Sequence, residues 1–289
     1  MMSDKITKCL KVGLIGEPNA GKSTLINQLI GEKISIVSPK VQTTRTLTRG
    51  ILNVGSTQLV FIDTPGIFKP SKTLEKYIVN NARAGIDESD LICVLIDAKR
   101  GLTPELNRII VSIKDKPLIA AINKVDLIKK DLLLKLAEDI NRLNIFKEIF
   151  MISALKNDGV KDVVNHLVSQ APNSPWYYEE DLYTDTPSRS LAEEITREQL
   201  FLLLNRELPY SLKVETEKWE DQKDGSLKLH QAIVILRSTH KNIVVGAGGQ
   251  KIKEVGRRAR LELQKILERK VHLFLYVKVR EDWVDKELG

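Results

Sequence analysis

Nine residues near the N-terminus constrain this chain more than any others: Gly16-Glu17-Pro18-Asn19-Ala20-Gly21-Lys22-Ser23-Thr24. The pattern G-x-x-x-x-G-K-S stands directly after the apolar run Leu10 to Ile15 and opens a segment with helical character. In that setting the glycines let backbone amides converge on phosphate oxygens. Lys22 places a point charge on the β- and γ-phosphates, and Ser23 offers its hydroxyl to Mg²⁺. A loop of this kind needs a strand before it and a helix after it, which commits the surrounding chain to an α/β layer.

The alternation up to about residue 170 agrees. Strand-like apolar runs at Leu10 to Ile15, Leu59 to Ile62, Leu91 to Ile96, Leu118 to Ile122 and Ile149 to Ile152 are separated by amphipathic segments beginning near Lys22, Thr73, Pro104, Asp131 and Gly159. Thr48 to Val54 and Gln58 to Ile62 flank a Gly55-Ser56 turn, so one antiparallel edge strand is expected in a mostly parallel sheet with helices on both faces.

Three further motifs end strands. Asp63-Thr64-Pro65-Gly66 puts a carboxylate where it can hold Mg²⁺ through water and the Gly66 amide where it can sense a γ-phosphate. Asn123-Lys124-Val125-Asp126 ends in a carboxylate able to accept from both N1–H and the 2-amino group of guanine. Adenine offers neither donor, so GTP is the expected nucleotide. Ser153-Ala154-Leu155 can offer the Ala154 amide to the guanine O6.

Residues 171–190 contain Pro172, Pro175, Pro187 and the acidic stretch Glu179 to Asp181, with no amphipathic period, and read as a linker. Trp176-Tyr177-Tyr178 within it would be poorly solvated in a free tether, so docking onto a domain is expected. The domains are then 1–170, a linker 171–190, and an α+β domain 191–289. In the last of these a helix with Leu191, Ile195, Leu200, Leu203 and Leu204 precedes strands around Leu212 to Glu217 and Leu229 to Leu236. A helix Gln250 to Glu268 and a strand Leu273 to Val279 follow.

Between them Val244-Val245-Gly246-Ala247-Gly248-Gly249 carries G-x-x-G at a helix start, preceded by β-type sequence. From Lys241 to Lys270 nine basic residues face three acidic ones, a net +6 within a chain of net +7. Lys241, Lys251, Lys253, Arg257 and Arg258, next to Ile252, would attract a phosphate backbone in a salt-dependent way.

The four nucleotide motifs, together with the loop Gln42-Thr43-Thr44-Arg45, resemble the small GTPase superfamily, and the C-terminal unit resembles a type II K-homology domain. That combination is similar, over nearly the whole chain, to the Era family of GTPases. Tyr178 to Leu200, with Asp181, Thr184-Asp185, Arg189, Glu194-Ile195 and Arg197-Glu198, looks like the same family.

The resemblance implies that Thr44, in preference to Thr43, coordinates Mg²⁺ and that Lys22, Thr44, Gly66 and Asn19 serve catalysis. Ile67 replaces the glutamine that orients water in many GTPases, which implies the subgroup with a hydrophobe there. Some members of that subgroup hold K⁺ through a P-loop asparagine, the place of Asn19. Leu155 stands where lysine is commoner, and Ala247 and Gly248 lack the polar groups frequent in the K-homology loop.

The family further implies binding to the 3′ end of 16S ribosomal RNA and association with precursors of the small (30S) subunit. It also implies a cytoplasmic monomer with peripheral attachment to the inner membrane. GTP would favour one domain arrangement, RNA would bind it, and hydrolysis would release it. A tRNA-modification enzyme and a scaffold with a purely structural nucleotide are the competing readings.

With 42% apolar and 29% charged residues, a disordered chain is not expected, and no apolar run approaches the ~18 residues of a membrane span. Cys9 and Cys93, each in a strand-like run, and four scattered histidines form no metal-ligand spacing.

Overall fold

The computed structural model describes residues 6–38, 45–65, 73–204, 212–281 and 283. The chain divides into two compact units, Met1–Ser35 with Thr44–Asp185, and Ile36–Thr43 with Thr186–Gly289.

The first unit is built from β1 (Lys8–Gly16), α1 (Lys22–Ile30), β2 (Thr48–Val54), β3 (Thr57–Asp63), α2 (Thr73–Glu88), β4 (Leu91–Asp97), α3 (Pro104–Ser112), β5 (Leu118–Asn123), α4 (Lys130–Asn141), β6 (Phe146–Ile152) and α5 (Val160–Gln170). Its six strands lie in the order β2-β3-β1-β4-β5-β6. Only β2 runs antiparallel, paired with β3 as the Gly55 turn predicts.

Alternate residues along each central strand face opposite layers. Val12, Leu14, Phe61, Cys93 and Ala121 join one core with Leu25 and Ile26 of α1 and Val163 of α5. Ile92, Val94, Ile96 and Ile122 join a second core with Leu106 and Ile109 of α3 and Ile140 of α4. Because both faces are covered, these strands read as unbroken apolar runs rather than alternating ones. The chain leaves β1 at the point where the order reverses, between β3 and β4, which opens a crevice beyond the carboxyl ends of these strands.

Linker residues run along the β2–β3 side of this unit. Trp176 Nε1 donates to the Ser56 carbonyl (3.1 Å), and the Gln58 side chain accepts from the Tyr177 and Tyr178 amides (2.9 and 3.0 Å). Arg49 binds Glu88 (2.7 Å) and Asp185 (2.9 Å).

The second unit contains α6 (Ser188–Leu203), β7 (Leu212–Asp221), β8 (Leu227–Ile235), α7 (Lys241–Val245), α8 (Gln250–Ile266) and β9 (Val271–Val279). β7 and β8 are antiparallel, β8 and β9 parallel, and β9 forms one edge of the three-stranded sheet. Leu200, Val214, Ile233, Val255 and Leu263 carry the buried contacts between this sheet and its helices. One expectation is corrected: the residues before the glycine loop form the short helix α7, not β structure, because Val244 is buried in this core.

Cys9 and Cys93 are buried thiols, Cys93 pushed up to about 12 by burial alone. Among the described residues no helix is long and apolar enough to cross a membrane.

Candidate functional site

The loop between β1 and α1 closes on itself before any ligand is considered. The Ala20 amide donates to the Glu17 carbonyl (3.1 Å), Asn19 has φ +65°, and Gly21 has φ +103°. A Cβ on Gly21 would lie 2.3 Å from Asn123 Nδ2, so only glycine fits. Lys22 opens α1 with its ammonium buried, donating to the Gly16 and Glu17 carbonyls (3.0 and 3.1 Å). Burial pulls its pKa down to about 8, against the opposing influence of Asp63 and Glu17. A cation held under loop amides at a helix N-terminus is a receptor for phosphate.

Asp63, at the end of β3, is fully buried and accepts from Ser23 Oγ at 2.9 Å and Ser35 Oγ at 2.8 Å, both on Oδ2. A hydroxyl and a carboxylate converging beside the phosphate loop fit Mg²⁺, which takes few protein ligands and completes its shell with phosphate oxygens and water. Among the described residues no cluster of three or more His, Cys, Asp or Glu competes for such an ion. Thr64 turns inward instead, its hydroxyl donating to the Leu14 carbonyl (2.7 Å).

Asn123 ties three loops together. Its Nδ2 donates to the Ala20 carbonyl (2.8 Å), and its Oδ1 accepts from the Lys124 and Ala154 amides (2.8 and 3.0 Å). The Ala154 amide expected at guanine O6 is therefore already engaged, and a base oxygen seated there would share or displace Asn123. Lys124 Nζ donates to the Asn19 carbonyl and to Asp97 Oδ2, both 2.6 Å. The Asp126 carboxylate is held below its usual range, first by the Ser153 hydroxyl and less by Lys156, so it stays an ionised double acceptor. Leu155 beside it is 80% exposed. Thr43, Thr44, Gly66 and Ile67 lie outside the described residues.

In the second unit Gly246 sits at φ +74°, ψ +171°, and a Cβ there would come 2.9 Å from Lys251 Cβ. Gly249 donates to the Gly246 carbonyl (3.1 Å), closing a tight turn from which α8 starts. Gly248, at φ +56°, faces open space. Lys241, Lys253, Arg257 and Arg258 are exposed and Lys251 partly so, while Glu254 anchors Arg257 (2.8 Å) and Arg258 (2.6 Å) and is itself held at about 2 by them. Ile243 is 46% exposed on α7, and Ile252, Leu275 and Val277 are partly buried where α8 faces the edge strand β9. A Cβ at Gly256 would make an ordinary van der Waals contact with Leu275 (3.5 Å), and the apolar groove between α8 and β9 is lined by Ile252, Leu275 and Val277. Val244, expected among the RNA contacts, is fully buried, so its side chain supports the loop from inside.

The 50S ribosome-binding GTPase family profile matches residues 11–124, and the KH domain profile matches residues 207–284. GTPase Era of Sinorhizobium medicae is 51% identical over 95% of this chain and 89% of its own length. GTPase Era of Brucella suis is 50% identical over 94% and 88%. The chain belongs to the Era family of GTPases.

Two solved Era structures superpose with TM-scores of 0.93 at 38% identity, each covering 97% of this chain. One holds MgGDPNP and nucleotides 1506–1542 of 16S ribosomal RNA and is covered over 96% of its length. The other is a single-substitution variant of Aquifex aeolicus Era bound to GDP·AlF4⁻, covered over 97%.

Three residues at this Era-family site escaped sequence reasoning. Ser35 joins Asp63, and its backbone is fixed by Asn27, whose Oδ1 accepts from the Ile34 and Ser35 amides (3.0 and 2.9 Å). Asp97 ends β4, and Arg100 lies in the loop that follows it. Arg100 Nη2 meets the largely buried Glu17 carboxylate at 2.9 Å, so this loop grips the phosphate loop from the side. The available signal was the polar run Asp97 to Arg100 at the end of a central strand. Arg100 is half exposed, which limits the bridge's contribution. Arg100→Ala is expected to speed GDP dissociation by about two- to fivefold, read by displacement of a fluorescent analogue.

The pKa of Lys22 gives a pH prediction. An unfolded lysine keeps its proton to about 10.4. Between roughly pH 8 and 10 the unfolded chain therefore binds more protons at this position, and this position's contribution to the stability of the free protein rises with pH. Bound phosphates restore the proton, so nucleotide binding at pH 9 should take up close to one proton, and affinity should fall by roughly tenfold per pH unit above 8. Calorimetry at pH 9 in two buffers of different ionisation enthalpy measures the uptake. Proton uptake near zero would show that Lys22 stays charged in the free protein.

Proposed function

We propose that this chain is a GTP-hydrolysing switch that binds the 3′ end of 16S ribosomal RNA and acts in assembly of the small (30S) ribosomal subunit and processing of its RNA. The observation that carries the reading is the presence, in one chain, of a phosphate loop with an ionised guanine-selecting Asp126 and of a K-homology glycine loop opening a basic helix. A relative of the same fold and 38% identity holds MgGDPNP and a 16S ribosomal RNA fragment together.

In this reading Lys22 neutralises the β- and γ-phosphates, the backbone N–H groups between Glu17 and Thr24, Pro18 excepted, cradle them, and Asp126 selects guanine. Ser23 and Asp63, with Thr44, would hold Mg²⁺, which when bound neutralises charge on the transferring phosphoryl group. Buried Lys22 and Asp63 are preorganised, so little reorganisation accompanies charge development. The domain division is 1–170 for GTP, 171–190 for the linker and 191–289 for RNA. Hydrolysis releases the RNA, and peripheral contact with the inner membrane belongs to the same reading.

The aliphatic Ile67 has no group to orient a water molecule, and the exposed Asn19 would hold K⁺, which when bound would supply part of the transition-state charge. Turnover should then be about tenfold faster in K⁺ than in Na⁺, and Asn19→Ala should abolish the difference. Equal rates in the two salts would remove K⁺ from the mechanism.

The functional test is binding to a short RNA matching the 16S 3′ end against a scrambled RNA, with a non-hydrolysable GTP analogue and then GDP. Selective binding strengthened by the analogue is expected. Equal binding of both RNAs in both states would overturn the reading.

A further inference from the structure

The sheet of the second unit has two faces, and only one packs on helices. Leu273, Leu275 and Val277 of β9 join the helix-covered core, so the alternating residues His272, Phe274, Tyr276 and Lys278 stand on the other side. Near the C-terminal end of that side Trp283 packs on Ala232 and Val234. Farther along, no described residue covers the face: Phe274 is 48% exposed and Tyr276 38%.

Phe274 is already half of a stack. Its ring lies parallel to His230, its registered neighbour on β8, with centroids 4.8 Å apart and planes inclined by 14°. The Lys228 ammonium stands 6.0 Å from the Phe274 centroid. His230 Nε2 is buried and has no hydrogen-bond partner among the described residues. A parallel ring pair ending in a half-exposed aromatic surface is built to accept one more flat ring. An unpaired nucleotide has that form.

The position favours RNA over other partners. β9 is the edge strand, and its inner residues Leu275 and Val277 line the groove beside the glycine loop. An RNA strand leaving that groove needs only to turn over the edge of β9 to reach Phe274. The groove itself takes about four nucleotides.

We propose that Phe274, His230 and Tyr276 form a stacking platform for unpaired bases that continue beyond the groove, an inference resting on the RNA-binding reading above. Lys228 and Lys278 on this face lie 3.7 and 3.2 Å from Glu220 and Glu217, so ring stacking rather than charge supplies the attraction. That separates the platform from the basic helix α8 experimentally.

The test uses the full chain, unaltered and as Phe274→Ala and Phe274→Trp, with two single-stranded RNAs. One is a tetranucleotide filling the groove, and the other carries several further nucleotides. Phe274→Ala should weaken the longer RNA by about tenfold, leave the tetranucleotide unchanged, and leave the slope of log affinity against log salt unchanged. Phe274→Trp should restore binding.

Equal weakening of both RNAs, or of neither, would overturn the platform. If Phe274→Ala instead dissolves a dimer seen by sedimentation while RNA affinity is unchanged, the face belongs to a second copy and the proposal fails. If the unaltered chain binds neither RNA, the RNA-binding reading falls first and takes the platform with it.

Discussion

Replacing Asp126 by asparagine is expected to weaken GTP binding by roughly 10²- to 10⁴-fold and to admit xanthosine triphosphate in its place. The magnitude follows from two hydrogen bonds to a charged group, each contributing about 1.5–3 kcal/mol, at 1.4 kcal/mol per decade. The Ser153 hydroxyl and Lys156 keep Asp126 ionised, so it presents two acceptors to the N1–H and 2-amino donors of guanine. Asparagine turns one acceptor into a donor. Xanthine carries a carbonyl at the 2-position and keeps N1–H, so it matches that exchange. Competition of both triphosphates against a fluorescent GDP analogue measures the switch. Unchanged GTP affinity would place guanine recognition elsewhere.

The second large effect concerns RNA. The double substitution Ala247→Asp with Gly248→Asp is expected to lower affinity for the 16S 3′-end RNA by about 100-fold or more. Two carboxylates would face the phosphate backbone, and juxtaposed like charges cost several kcal/mol. The fold should survive. Ala247 is exposed, and a Cβ at Gly248 meets nothing within 4 Å. Its φ of +56° is a conformation aspartate adopts more readily than most residues. Gly246 is the contrasting position, because a Cβ there would strike Lys251 at 2.9 Å and disturb the start of α8. Titration of both RNA and GTP checks the result: RNA binding should fall while GTP binding stays. Retained RNA binding would show that the backbone does not pass over this loop.

Much of the fold was legible because the central strands are covered on both faces and therefore read as continuous apolar runs, as in Leu91 to Ile96. The hairpin of β2 and β3 was legible from Gly55, whose φ of +60° its turn requires. Helix α7 was not. Ile243-Val244-Val245 has the β-branched composition of a strand, and burial of Val244 against the core overrides that preference. The apolar groove beside α8 was likewise only partly visible, since it depends on the packing of Ile252 against Leu275 and Val277 of the distant strand β9.

The phosphate-loop residues could be recognised from the sequence alone. Each motif is a contiguous stretch whose backbone and side chains act together, so Gly16 to Ser23 and Asn123 to Asp126 name their chemistry without knowledge of their neighbours. Tertiary structure decided which distant groups support them. Glu17 meets Arg100, Asn19 meets Lys124, Lys124 meets Asp97, and Asp63 meets Ser35 only because the order β2-β3-β1-β4-β5-β6 brings strand ends far apart in sequence to one edge. The Ala154 amide, free in a sequence reading, is claimed by Asn123 for the same reason. Local pattern records what a segment can do. Strand order, set by burying both faces of the sheet, determines which groups act on it.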